Sequence, residues 1–173
     1  MNILSRLRLI KVFVFDMDGV LTDGGLLLHQ NGEWLRRMDI KDGYALQLAI
    51  KQGYKIIIVS GSESLPVADR LNRLGISEVF MQIKNKESFL KNYMEANHHQ
   101  PEEVLFMGDD IPDYACMQLA GFPCCPVDAA AEIRRISSYI SSKPGGCGCV
   151  RDVIEKVLKL NDKWPLQTSV AAT

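Results

Sequence analysis

Val12-Phe13-Val14-Phe15-Asp16-Met17-Asp18-Gly19-Val20-Leu21-Thr22-Asp23-Gly24 joins an apolar run to two carboxylates one residue apart, followed by a glycine. Residues 9–15 have the length and the β-branched, aromatic content of a strand buried on both faces. Asp16 and Asp18 then stand at the carboxyl end of that strand, where open α/β sheets bind ligands. In an extended segment residues two apart point the same way, and carboxylates so placed repel unless a cation or a shared proton joins them. An aspartate after a strand also serves as a cap for a helix or turn. The pair alone leaves both readings open.

Downstream, Asn31-Gly32 is a strong hairpin signal, and a two-residue type I′ turn there pairs Leu28 with Leu35 and His29 with Trp34. Leucines, Trp34 and Met38 fall on both hairpin faces, more apolar surface than a protruding hairpin buries alone, so packing on a neighbouring chain is expected. Helices are expected over 42–51, starting at Asp42 and followed by Gly53, then over 66–74, 86–96, 114–119, 129–135 and 151–160. Further strands are expected over 54–59, 78–81 and 103–107, with an edge strand at 122–125 and a last one at 139–140. Residues 144–149 read as a flexible loop, and 161–173, weakly patterned, are expected to fray.

Strands alternating with helices of about ten residues mean right-handed crossovers and an α/β, doubly wound parallel sheet, Rossmann-like. The expected organisation is a single domain over 1–160, with a β-hairpin insertion at about 24–38 after the first strand and a C-terminal tail over 161–173. Between Asp18 and Ser60, and between Ser60 and Lys86, there is no room for a cap domain.

The 173 residues carry 20 basic and 21 acidic side chains, which gives no reason to expect nucleic acid or an anionic membrane as partner. No run approaches the ~18 apolar residues of a membrane span, and no secretory h-region is evident. Five cysteines, an odd number in a chain large enough to fold without disulfides, favour reduced thiols and a cytoplasmic location. The spacings of Cys124-Cys125 and Cys147-Gly148-Cys149 do not suit a zinc knuckle.

In a parallel sheet all strand carboxyl ends share one edge, so Asp16, Asp18, Asp109, Asp110 and Asp113 converge there. Such a cluster calls for a divalent cation, and the all-oxygen donor set favours Mg²⁺. Ser60-Gly61 offers a hydroxyl and a backbone N–H at a helix start, a seat for phosphate, and Lys86 can bring an ammonium to the same edge. Singly, Ser60 reads as an N-cap and Lys86 as a solvated lysine. Together the groups describe phosphoryl transfer through an aspartyl-phosphate.

The segments Phe15 to Asp23, Ser60-Gly61, Lys86 and Gly108-Asp109-Asp110-Ile111-Pro112-Asp113 resemble, in order and spacing, the four motifs of the haloacid dehalogenase superfamily of phosphatases. Thr22-Asp23-Gly24, Asn31-Gly32-Glu33, residues 39–44 and 145–152 are similar to features of the 3-deoxy-D-manno-octulosonate 8-phosphate phosphatase family within it, a family of lipopolysaccharide sugar synthesis. The resemblance implies that Asp16 attacks phosphorus and that Asp18 is general acid, then base. It implies Mg²⁺ held by Asp16, the Asp18 backbone carbonyl and Asp109. Ser60, Gly61 and Lys86 would hold phosphoryl oxygens, and Asp110 and Asp113 would orient metal waters and Lys86. Family substrate contacts fall on Asp39, Ile40, Lys41, Asp42, Gly43, Gln47, Ser62 and Arg70.

The family pattern departs at Ser62, where an arginine is usual, and at Gln47, which replaces a basic residue of some members. These changes leave a keto-deoxy nonulosonate 9-phosphate as an alternative substrate. The resemblance also implies a homotetramer with shared sites, the segment from Gly145 to Arg151 reaching a nearby site. A phospho-accepting signalling module is the alternative of a different class. Such a receiver is phosphorylated after its central strand, which here is expected to end in Ser60-Gly61, and it gives no reason for Asp18 or the hairpin.

Overall fold

The computed structural model describes residues 2–166 and 168–170. The chain runs through α1 (Ile3–Arg8), β1 (Val12–Phe15), a π-type turn (Met17–Leu21), the hairpin β2 (Leu27–Leu28) and β3 (Trp34–Leu35), and α2 (Ile40–Lys51). It continues through β4 (Lys55–Val59), α3 (Leu65–Arg73), β5 (Glu78–Phe80), α4 (Lys86–Ala96), a 3₁₀ turn (Pro101–Glu103) and β6 (Val104–Met107). A second 3₁₀ turn (Ile111–Asp113) leads to α5 (Tyr114–Leu119), β7 (Phe122–Cys125), α6 (Ala131–Ile136), β8 (Tyr139–Ile140) and α7 (Cys149–Leu160).

Six strands form one sheet in the order β5-β4-β1-β6-β7-β8, every pairing parallel. β1 is buried throughout, and its side chains alternate between two cores. Phe13 and Phe15 pack on one face with residues of α2, α3 and α7; Val12 and Val14 pack on the other with residues of α4, α5 and α6. This is the doubly wound arrangement the alternation of elements predicts. Among the described residues no cap domain accompanies it.

The sequence expectations need several corrections. The strand spans Val12–Phe15 rather than 9–15, because residues before Lys11 close a short helix whose first turn is capped by Asn2, accepting from Ser5 N at 2.8 Å. β7 is not an edge: it pairs with both β6 and β8. The strand that ends in Ser60 is not the central one either. β1, which carries Asp16, lies between β4 and β6 near the middle of the sheet. That removes one argument against a receiver-like module, since phosphorylation of Asp16 would also follow a middle strand.

The hairpin register is shifted by one. Leu27 faces Leu35 and Leu28 faces Trp34, with His29 N donating to Glu33 O at 2.8 Å. The loop is thus three residues long, with Gly32 N bonded to His29 O and Gly32 at φ 88°. Such a loop needs positive φ only at its last residue, which Gly32 supplies, while the Asn31 side chain braces the turn by accepting from Glu33 N at 3.0 Å.

Helix α2 starts at Ile40, two residues earlier than expected, because Asp39 is its N-cap and accepts from Lys41 N at 2.8 Å. The chain after α7 does not fray as a whole. Trp164 meets Tyr44 edge-on at 5.9 Å, Lys163 lies over the Tyr54 ring and Val170 is buried. Residues 167 and 171–173 of the expected tail lie outside the described residues.

Candidate active site

β1 delivers Asp16 in extended geometry, its N–H donating to Met107 O at 3.0 Å, so the first and second acidic strand ends are joined by backbone. The chain then turns sharply at Gly19, φ 90°. A Cβ there would stand 2.0 Å from Oδ2 of Asp109, so only glycine lets the two loops close on each other.

Oxygens of Asp16, Asp109 and Asp113 lie within 4.8 Å of one another. Lys86, the first residue of α4 and itself buried, donates from Nζ to Asp16 Oδ1 at 2.6 Å and to Asp113 Oδ1 at 2.8 Å. Asp113 also accepts from Asp109 N at 3.2 Å.

The electrostatics are those of an overcrowded anionic site. Burial, then the charge of Asp113, pushes the Asp16 carboxyl up to about 6 against the pull of Lys86. Burial and the charges of Asp16, Asp113 and Asp110 push Asp109 up to about 8. Asp113 is raised by burial, which outweighs the pull of Lys86. Burial would lower Lys86, but the charges of Asp113 and Asp16 outweigh it and keep its ammonium form favoured. Three oxygen donors that resist shared ionisation suit a hard divalent cation with water completing its shell.

Asp18 has partners of its own. Its carboxylate accepts from Arg36 Nε at 2.7 Å and from Ser62 Oγ at 2.6 Å. Burial would raise this carboxyl, but the hydrogen bonds from Arg36 and Ser62 outweigh it and hold it below the usual range. Ser60 is buried, its Oγ 3.2 Å from Ser62 Oγ and bonded by Ser62 N at 3.1 Å, while Gly61 is exposed beside it. Sequence reasoning missed Arg36. Its only signal is a basic pair, Arg36-Arg37, one residue past a hairpin strand, and spacing does not say which arginine turns inward.

The remaining candidates divide. Asp110 is exposed and caps its own turn, accepting from Ile111 N at 2.8 Å. Asp113 lies in the carboxylate cluster itself. Ile40 and Arg70 line a cavity of about 300 Å³ with Arg36, Trp34 and Met38, beside the Asp18 pair. Lys41 is exposed and Gln47 half-buried on α2. Asp42 and Gly43 are buried, and Asp42 Oδ1 accepts from Arg151 N at 2.7 Å. Asp42 thus turns toward α7, and neither residue lines that cavity.

The glycine-rich segment packs against its own chain. Gly146 N donates to Val20 O at 2.9 Å, and a Cβ on Gly146 would stand 2.3 Å from Asp23 N. The segment thus underlies the loop after Asp16 in its own chain, because only glycines permit such close backbone contact.

A parallel sheet with a carboxylate-lysine cluster at the ends of β1 and β6, and a serine seat at the end of β4, defines an aspartate-based phosphatase of the haloacid dehalogenase type. No family model matches the chain. Solved structures and curated relatives do. The 3-deoxy-D-manno-octulosonate 8-phosphate phosphatase of Moraxella catarrhalis, crystallised with magnesium, phosphate and KDO, is 30% identical at a TM-score of 0.87, covering 91% of this chain and 90% of that one. KdsC of Escherichia coli K12, a phosphatase of the same name, is 29% identical over 94% of this chain and 86% of its own length. A putative HAD superfamily subfamily III A hydrolase of Legionella pneumophila is 26% identical at a TM-score of 0.89, covering 92% and 88%. The chain belongs to the 3-deoxy-D-manno-octulosonate 8-phosphate phosphatase family of that superfamily.

Proposed function

We propose that this chain is an Mg²⁺-dependent phosphatase that hydrolyses 3-deoxy-D-manno-octulosonate 8-phosphate through an aspartyl-phosphate. The observation that carries it is the convergence of Asp16, Asp109, Asp113 and Lys86 at the ends of β1, β6 and the start of α4. Asp16 Oδ attacks phosphorus, and the substrate's C8 oxygen leaves with a proton from Asp18, which Arg36 and Ser62 hold ionised in the free chain and which takes up that proton as the phosphomonoester dianion arrives beside it. Asp18 then takes a proton from water, which attacks the phosphoryl group and frees Asp16. Lys86, the Ser60 hydroxyl and the Gly61 N–H hold the transferring oxygens. Asp16 and Asp109, with the Asp18 carbonyl, would hold Mg²⁺, with Asp113 and Asp110 supporting; the ion's contribution is charge neutralisation at the phosphoryl oxygens.

The finer parts of the reading have their own support. Ile40 and Arg70, which line the cavity, suit a substrate with an apolar and an anionic face. Leu27, Leu28 and Trp34, 67%, 65% and 60% exposed on the hairpin, suit burial against sister chains in a homotetramer whose sites lack a cap of their own. Five free cysteines suit a reducing, cytoplasmic setting.

The test is phosphate release from a panel of sugar-acid phosphates, with and without Mg²⁺, by the wild type and Asp16→Asn. Equal activity in both overturns the mechanism. A preference of more than about tenfold in kcat/KM for a nine-carbon 9-phosphate overturns only the choice of sugar.

A further inference from the structure

Arg36 lies one residue beyond β3, at the root of a hairpin whose tip is largely exposed. Its own side chain is only 4% exposed. Nε donates to Asp18 Oδ1 at 2.7 Å, and Nη2 lies 3.3 Å from Asp18 Oδ2 and 3.4 Å from Ser62 Oγ. Ser62 Oγ donates to the same Oδ2 at 2.6 Å, and Thr22 Oγ1 lies 3.4 Å from Oδ1. Asp18 is therefore gripped by the hairpin, by the loop after β4 and by its own turn. A guanidinium that meets both oxygens fixes the plane of a carboxylate, which a single hydroxyl or ammonium cannot do.

We propose that Arg36 is a positioning residue: by holding both oxygens of Asp18 it aims that carboxyl at the leaving oxygen of the phosphomonoester, and so makes the hairpin part of the catalytic apparatus. The inference rests on the reading of Asp18 as proton donor. It has a consequence that a merely structural role lacks. A sugar alkoxide is a poor leaving group and needs the proton in the transition state, whereas p-nitrophenolate leaves without one. Misaiming Asp18 thus penalises one ester and spares the other.

The experiment compares wild type, Arg36→Ala and Arg36→Lys, each with Mg²⁺, in single turnovers of the sugar-acid phosphate and of p-nitrophenyl phosphate. Arg36→Ala is expected to slow alcohol release from the sugar ester by about 100-fold, while nitrophenol release and both KM values stay within about threefold. Arg36→Lys, which keeps the charge but not the two-point contact, is expected to fall between, and it carries the same comparison if the alanine variant does not fold. Equal losses on the two esters, or no loss on the sugar ester, overturn the inference and leave the phosphatase standing. No turnover of either ester by the wild type overturns the phosphatase reading itself.

Discussion

The carboxylate of Asp42, in the first turn of α2, accepts the backbone N–H of Arg151 and so caps α7 from a different helix, because Gly148 at the N-cap of α7 has no side chain to offer. Its other oxygen, Oδ2, is buried with no hydrogen-bond partner among the described residues. Burial, only partly offset by the Arg151 N–H, pushes the Asp42 carboxyl from 3.8 to about 7.

A raised acid favours the protonated folded state, so its contribution is fully present below the unfolded value and is lost as pH climbs through the folded one. Stability is expected to fall between about pH 4 and pH 7, by up to about 4 kcal/mol from this group. Asp42→Asn keeps the acceptor and removes the charge, so its urea midpoint is expected to exceed that of wild type at pH 8 and to match it near pH 4. A wild-type advantage at pH 8 contradicts the assignment.

Asp16 and Asp109 follow the same sign, with values pushed to about 6 and about 8. Without metal, the ionised cluster destabilises the fold more as pH rises. Mg²⁺ binds the ionised form, so the rise in melting temperature it produces is expected to be larger at pH 8 than at pH 5. Scanning calorimetry with Mg²⁺ or with EDTA at the two values checks this; a pH-independent increment contradicts it.

Among the described residues, Lys86 is the cation paired with Asp16 and Asp113. Lys86→Met leaves Asp16 and Asp113 buried beside each other without it, which is expected to cost on the order of 3 kcal/mol in EDTA and less with Mg²⁺ present. Turnover is expected to fall to background. Urea titrations in the two buffers give the comparison, and an equal cost in both argues against a shared role of lysine and metal.

Gly146 and Gly32 both have positive φ, 60° and 88°, but differ in surroundings. Nothing lies within 4 Å of a Cβ on Gly32, whereas one on Gly146 collides with backbone of Thr22 and Asp23. Gly32→Ala is expected to cost about 1 kcal/mol, the conformational term alone. Gly146→Ala is expected to cost about 1–3 kcal/mol more, with a lower kcat as the loop bearing Asp18 shifts. Thermal melts and steady-state rates of the two variants test the difference.

Much of this protein is written locally. Apolar strands followed by Asp16, Ser60 and Asp109 mark a parallel sheet with a polar edge, because strand burial and strand direction follow from residue type and alternation. The spacing from Asp18 to Ser60 to Lys86 excludes a cap by length alone. Where one residue sufficed to cap a helix the sequence misled, since Asp39 and Asp42 are both good caps and only packing against α7 selects Asp39 for α2.

What the sequence by itself determined, then, is the sheet, its chemical edge and the identity of the nucleophile's neighbourhood. The tertiary structure alone decided which arginine of Arg36-Arg37 turns inward, that Asp113 rather than Asp18 or Asp110 completes the cluster with Asp16 and Asp109, and that Gly146 supports the loop of its own chain. Those relations join residues 18 and 36, 16 and 113, or 20 and 146, and they depend on how the chain is threaded in space. Local pattern carries hydrophobic period and turn chemistry; it carries no record of which distant side chain meets a buried charge.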